Sequence, residues 1–456
     1  PNPKPQTPNP KPQTPMSRVY RRGALIATFF VLYSYQGCLF GLNDAIRMLL
    51  KQAKVGDSEI ALMSLTSSPF YLKFLAAPFM DVYYFQAIGK RMSYILPLGF
   101  AMAILFGIGG LFIQHWIDTA NVTLLAAYMF AQFVLVAIQD VAVDGMVCEV
   151  LREEDFEKGT LMQTLGQTLG GFFCSNLLIL VISERFAKET FGIEGPLLSL
   201  NTIMLGLGIW VVSTTFIARS LVEEHQQKGE LAIKELMGYL PQMCRKPPIL
   251  LLMLFPTVMD SFLLFTDSLG TLKLLEKGLD LVYINQLEVY FFLFDLAVLA
   301  GMSRLNVMEN LWKYFNISTD LLYLGAVVFW ILFYCLSVDL HPNIWLGFLI
   351  AYRVVRYLSM VKFTCRCVFT QLVADKNCGG SYLTIVNSAN NFCSINTPAL
   401  LTSVTKWTGF MPLVTVLAVW DGLCRLMVRP RLQRYFTVQK STGGFNLSSK
   451  NKDKLN

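Results

Sequence analysis

Residues 77–94 read APFMDVYYFQAIGKRMSY, a short turn set between two long apolar runs. Asp81 closes the first run, and Gly89, Lys90 and Arg91 open the second. Gly89 permits a tight turn, and a carboxylate facing two cations across it ties two helix ends together. The rest of the chain is built from similar apolar runs. Of its 456 residues, 54% are hydrophobic and only 15% charged, against roughly 25% charged in a soluble domain. Mean hydropathy is +0.48. A bilayer span takes about 20 mostly apolar residues. Twelve stretches qualify: 23–45, 59–80, 92–114, 122–147, 159–182, 197–218, 248–268, 282–302, 318–338, 343–368, 379–404 and 409–428. The expected architecture is an all-α membrane protein with 12 transmembrane helices in two six-helix bundles, residues 18–218 and 248–428, joined by a polar linker at 219–247.

The net charge of +7 follows membrane topology. With the N-terminus in the cytosol, most of the 38 Lys and Arg fall in the tails, the linker and the even-numbered loops, and eight in the odd-numbered loops. This bias puts both termini in the cytosol. Residues 1–17 begin with a repeated PNPKPQT and are expected to be a disordered tail, with Met16 an alternative start. Residues 429–456 form a basic cytosolic tail ending KDKLN, with Lys452 and Lys454 placed as in a dilysine retrieval signal of the endoplasmic reticulum. Asn121-Val-Thr is a sequon on the expected lumenal side.

Several classes are excluded. The ten Cys lie mostly inside apolar runs and make no disulfide framework. The three His (His115, His225 and His341) lie at span ends or in the linker, with no metal spacing, and no phosphate-binding loop occurs. No enzyme, cofactor, metal or nucleic-acid partner is implied; the lipid bilayer is.

The turn at 77–94 resembles the gating loop of the major facilitator superfamily. LYSYQGCLFGL (32–42), SSPFYLKFLAAPFMD (67–81) and AIQDVAVDG (137–145) resemble the acetyl-coenzyme A transporter family within the major facilitator fold. DSLGTLKLLEKGL (267–279) and ADKNCGGSYLTIVNSANN (374–391) are similar to its second-half signatures. Bacterial muropeptide permeases share the first-half pattern and less of the second. Two departures stand out: Phe392-Cys393-Ser394-Ile395 replaces a Gly-Gly and Trp pattern, and span ten carries Arg353, Arg356 and Lys362. The resemblance implies a secondary carrier moving acetyl-coenzyme A from the cytosol into the lumen of the endoplasmic reticulum or Golgi, with free coenzyme A as a candidate exchange substrate. The alternative is a proton-coupled permease for another solute, an amino-sugar conjugate or peptide.

Charged groups inside spans cost at least ~2.5–3.5 kcal/mol on insertion scales and need a partner or a wet cavity. Lys73, Arg353 and Arg356 are candidates for holding cargo phosphates. Lys73 has a second reading, as partner of Asp140 or Asp144, and the arginines as ties between helices. Tyr35 and Gln36 in span one, Gln139 in span four, and Tyr382, Asn387 and Asn391 in span eleven are candidate cargo contacts or inter-helix hydrogen bonds. Asp81, Gly89, Lys90, Arg91, Asp140, Asp144 and Asp267 are candidates for gating or coupling.

Overall fold

The computed structural model describes residues 15–53, 65–151, 155–222, 259–267, 281–302, 310–335, 357–371 and 379–441, with single positions or short pieces at 55, 62–63, 241, 245, 249–250 and 252–254. Regular structure among them is entirely helical. Seven stretches are long and apolar enough to cross a membrane. They correspond to expected spans one, three, four, five, six, nine and twelve. Arg353, Arg356, most of the linker and both tail ends lie outside the described residues.

Helix α1 (Pro15–Gln52) leads, followed by a broken second span: α2 (Pro69–Leu72), a 3-10 turn (Lys73–Leu75) and α3 (Ala77–Val82). One continuous helix was expected at 59–80. Pro78 has no N–H to donate to the preceding turn, and the chain tightens there, with the Ala76 amide bonding the Lys73 carbonyl. The break presents Lys73 to the interior, where it is buried.

Helices α4 (Met92–Asp118) and α5 (Val122–Val150) follow, the second capped by Asn121 accepting from the Leu124 amide at 3.2 Å. The fifth span is α6 (Phe156–Phe172), a π-turn (Phe173–Leu177) and α7 (Leu178–Ile182). A short α8 (Glu184–Phe191) leads to α9 (Leu200–Leu221). The C-terminal half contains α10 (Leu281–Met302), α11 (Leu311–Cys335), α12 (357–371), α13 (Gly379–Thr408) and α14 (Phe410–Ser441).

Glycine sets the closest helix contact. A Cβ on Gly170 would stand 1.9 Å from the Ser34 carbonyl oxygen, and one on Gly37 2.2 Å from that of Gln167. Gly166 meets Phe30 and Gly41 meets Gly171 in the same way, so α1 and α6 run parallel with their backbones touching. Ile104, Leu111, Ile209 and Val416 point outward, as a helix bundle in lipid requires.

The halves meet along α5, α6, α10 and α13. Cys148 packs in one apolar cluster with Ile249, Leu252, Tyr382, Leu383 and Val386. Phe172 stacks on Phe292 with ring centroids 3.8 Å apart.

Candidate functional site

The turn at 83–91 closes one end of the bundle. Gly89 has φ 110°, a conformation that strains any residue with a Cβ, and its carbonyl accepts from Ser93 Oγ at 2.5 Å. Arg91 is fully buried. Its Nη2 lies 2.5 Å from both Asp81 Oδ1 and Glu149 Oε1, and its Nε donates to Glu149 Oε2 at 3.1 Å. Lys90 reaches Glu149 at 2.9 Å and Asp81 at 3.5 Å. A Cβ on Gly145 would stand 2.5 Å from Arg91 Cζ, so the glycine after Asp144 makes room for the guanidinium.

Asp81 carries this cluster across to the C-terminal half. Its Oδ2 accepts from the Ser381 amide at 3.0 Å and from the Ser381 hydroxyl. Ser381 stands in the first turn of α13, whose free N–H groups favour a carboxylate. Burial pushes the Asp81 carboxyl up, but Arg91 and Lys90 outweigh it and hold the group below the usual carboxylate range. Burial likewise opposes the Arg91 charge, while Asp81 and Glu149 raise its pKa above the ordinary value.

Beyond this clasp, between the halves, lies a cavity of about 350 Å³. Its lining includes Asp44 from α1, Asp144 from α5, Ser175 from the π-turn and Asn387 from α13. Asp144 is five residues, about 7.5 Å of helix, from Glu149. The π-turn widens the fifth span beside the cavity, where Ser175 Oγ donates to the Gly171 carbonyl at 2.7 Å.

Three charges of the N-terminal wall, Lys73, Asp140 and Asp144, form one buried group. Lys73 Nζ pairs with Asp140 and lies 3.9 Å from Asp144. Asp140 and Asp144 share a face of α5, one turn apart. Asp144 Oδ1 accepts from Tyr33 Oη at 2.7 Å, and its Oδ2 from Asn387 Nδ2 at 3.0 Å. Of the two readings open for Lys73, the structure therefore shows the carboxylate partnership, at the cavity wall. Asn391 also lines the cavity and donates to the Phe70 carbonyl at 3.3 Å.

Other expected contacts sit elsewhere. Gln36 and Gln139 are buried outside the lining, joined by a 3.0 Å bond, and Gln167 links them to the cavity with a donor 3.4 Å from Gln36. Tyr35 and Tyr382 are buried in the helix packing and do not line the cavity. Asp267 is exposed at the end of the helical stretch 261–267. Lys362, one of the span-ten cations, is committed to Asp260 at 2.6 Å, in a cluster with Arg425 3.3 Å from the same Asp.

Two residues not singled out from sequence matter here. Glu149 is the second carboxylate of the clasp, and Arg366 on α12 lines the cavity. Glu149, Glu153, Glu154 and Asp155 all follow span four, so the sequence carries no signal that singles out Glu149. Arg366 has no sequence signal that separates it from Arg353, Arg356 and Lys362. Among the described residues, no three of His, Cys, Asp or Glu gather as a metal site.

The arrangement is a cavity lined from both halves, beside a charge network that crosses them. Comparison with solved structures gives the same fold. The chain superposes on a human organic anion transporter with a TM-score of 0.57 at 13% identity, covering 90% of this chain and 99% of that one. A bacterial homologue of the iron transporter ferroportin, in an outward-facing state, gives 0.58 at 12% identity, with 91% and 99% covered. A proton:xylose symporter of the major facilitator superfamily gives 0.54 at 13%, with 89% and 96% covered.

Among curated relatives, an uncharacterised protein of Schizosaccharomyces pombe is 25% identical over 372 residues, 79% of this chain and 70% of its own length. An uncharacterised membrane protein of Saccharomyces cerevisiae is 26% identical over 215 residues, and the match spans only 38% of that protein. The chain has the major facilitator fold, with seven described helices long and apolar enough to cross a membrane. Its residues 25–246 match the sequence model of the family described as "Acetyl-coenzyme A transporter 1", so just under half of the chain is similar to that family.

Proposed function

We propose that the protein carries acetyl-coenzyme A across the membrane of the endoplasmic reticulum or Golgi into the lumen by alternating access. The observation that carries the reading is the clasp of Asp81, Arg91, Glu149 and Ser381. It closes one end of the bundle across the two halves while a cavity stays open between the same halves a few ångströms further in. The family match supplies the cargo. A cavity of this size, near the lower end of ligand sites at roughly 300–1,000 Å³, holds one end of so extended a molecule. In this reading Asp81, Lys90, Arg91 and Glu149 form the cytosolic gate, both termini are cytosolic, and two six-helix bundles rock about the cavity.

Uptake of labelled acetyl-coenzyme A into proteoliposomes tests the cargo. Saturable uptake, competed by coenzyme A, is expected; stimulation by internal coenzyme A would identify exchange. No uptake by a well-folded preparation overturns the cargo and leaves the carrier. A second reading, proton coupling with another solute, draws on Asp140 and Asp144 sharing one Lys73. It predicts uptake driven by an imposed pH gradient and lost in Asp144→Asn.

A further inference from the structure

The described lining of the cavity carries five charged side chains: Asp44, Lys73, Asp140, Asp144 and Arg366. Four of them have partners of opposite charge. Asp44 lies 3.6 Å from Arg47 on its own helix, and Lys73 is held between Asp140 and Asp144. Arg366 alone has no carboxylate within ion-pair distance among the described residues. Its guanidinium stands over the Phe363 ring, 5.5 Å from the centroid, and the side chain is half-buried.

We propose that Arg366 is the anchor for a soluble phosphate-bearing anion in the cavity, with Phe363 orienting the guanidinium. This deepens, and rests on, the reading of the cavity as a transport site for an anionic cargo. A guanidinium presents a planar fork of donors that matches phosphate geometry, and the ring face holds it without consuming those donors. For a phosphate to take Lys73 instead, it must displace a buried carboxylate. The Asp140 and Asp144 wall also carries one more negative charge than Lys73 neutralises, so an anion is turned toward α12. Neutral donors complete the site. Gln163 and Gln167 share the cavity lining from α6, and Asn387 and Asn390 from α13, so both halves contribute amide side chains to it.

Replacing Arg366 strands no buried carboxylate, so the variants are expected to fold, with thermal melting as the check. The test is calorimetric titration of the full chain in nanodiscs with inorganic pyrophosphate, ADP and acetyl-coenzyme A. Wild type should bind pyrophosphate and ADP, Arg366→Gln should bind both at least tenfold more weakly, and Arg366→Lys should fall between. Equal affinities in wild type and Arg366→Gln overturn the anchor, as does failure of a cooperatively melting wild type to bind either probe. If acetyl-coenzyme A does not bind while pyrophosphate binding still depends on Arg366, the anchor stands and the proposed cargo falls. If acetyl-coenzyme A binds equally well to wild type and Arg366→Gln, the cargo stands and the anchor falls.

Discussion

Asn387 donates to Asp144 across 3.0 Å, and that bond joins α13 of one half to α5 of the other at the cavity. Tyr33 holds the second Asp144 oxygen at 2.7 Å from within the N-terminal half. The two donors therefore have different consequences. A hydrogen bond to a charged group contributes about 1.5–3 kcal/mol, and about 1.4 kcal/mol is a tenfold change in an equilibrium. Asn387→Ala should shift the population toward the state open at the clasp end by about tenfold or more. Spin-label distances between the halves at that end read it directly. Tyr33→Phe should lower the melting temperature without moving that equilibrium.

Arg91 is fully buried between two carboxylates of the clasp. Removing one partner of a buried charge group costs about 3–5 kcal/mol. Arg91→Ala should cost that much in thermal or denaturant unfolding. Arg91→Lys should not rescue it, because one ammonium cannot reproduce the fork. Gly145→Ala should lower stability as well, since its Cβ would stand 2.5 Å from a guanidinium that both carboxylates pin.

The same network fixes a pH dependence. The Asp81 carboxyl is held below its ordinary range, so its contribution to closure is complete above the unfolded carboxylate pKa. It is lost as pH falls through the lowered value. Closure at the clasp end should stay constant from about pH 5 to pH 8 and weaken only in stronger acid, which the same spin-label distances measure across a pH series.

The clasp was largely legible in sequence because its parts are local: Asp81, Gly89, Lys90 and Arg91 lie within eleven residues. Glu149 was not, since Glu149, Glu153, Glu154 and Asp155 all follow span four and only the fold selects one of them. The cavity was less legible for a rotational reason. Gln36 and Gln139 lie on helices that do line the cavity, but turned behind it, and Gln167 stands in front of them. Hydropathy likewise placed the second span but not its break, which depends on where Pro78 withholds a donor.

Close backbone contact between α1 and α6 makes a steric prediction. Gly170→Ala puts a methyl 1.9 Å from the Ser34 carbonyl oxygen, and a backbone atom cannot swing aside. Overpacking costs about 1–3 kcal/mol or more, so the melting temperature should fall. Gly206→Ala is the control: nothing lies within 4 Å of its Cβ. It should be neutral or more stable by about 0.5–1 kcal/mol.

Lys73→Met should lower folded yield by leaving Asp140 and Asp144 as neighbouring buried carboxylates with no cation. Lys73→Met combined with Asp140→Asn should recover much of that loss, because one of the two charges is gone. Size-exclusion yield and melting temperature measure both. If Lys73 served cargo alone, the single variant would fold normally and only its apparent KM would rise.

The most direct test of alternating access is transport with the clasp locked. Asp81 and Ser381 touch across the two halves, so an Asp81→Cys/Ser381→Cys variant can be joined by oxidation or a short bis-thiol reagent. Acetyl-coenzyme A uptake by proteoliposomes of this variant should stop on cross-linking and return on reduction, while wild type treated identically keeps transporting. Undiminished uptake with the halves covalently joined at that end would contradict the account.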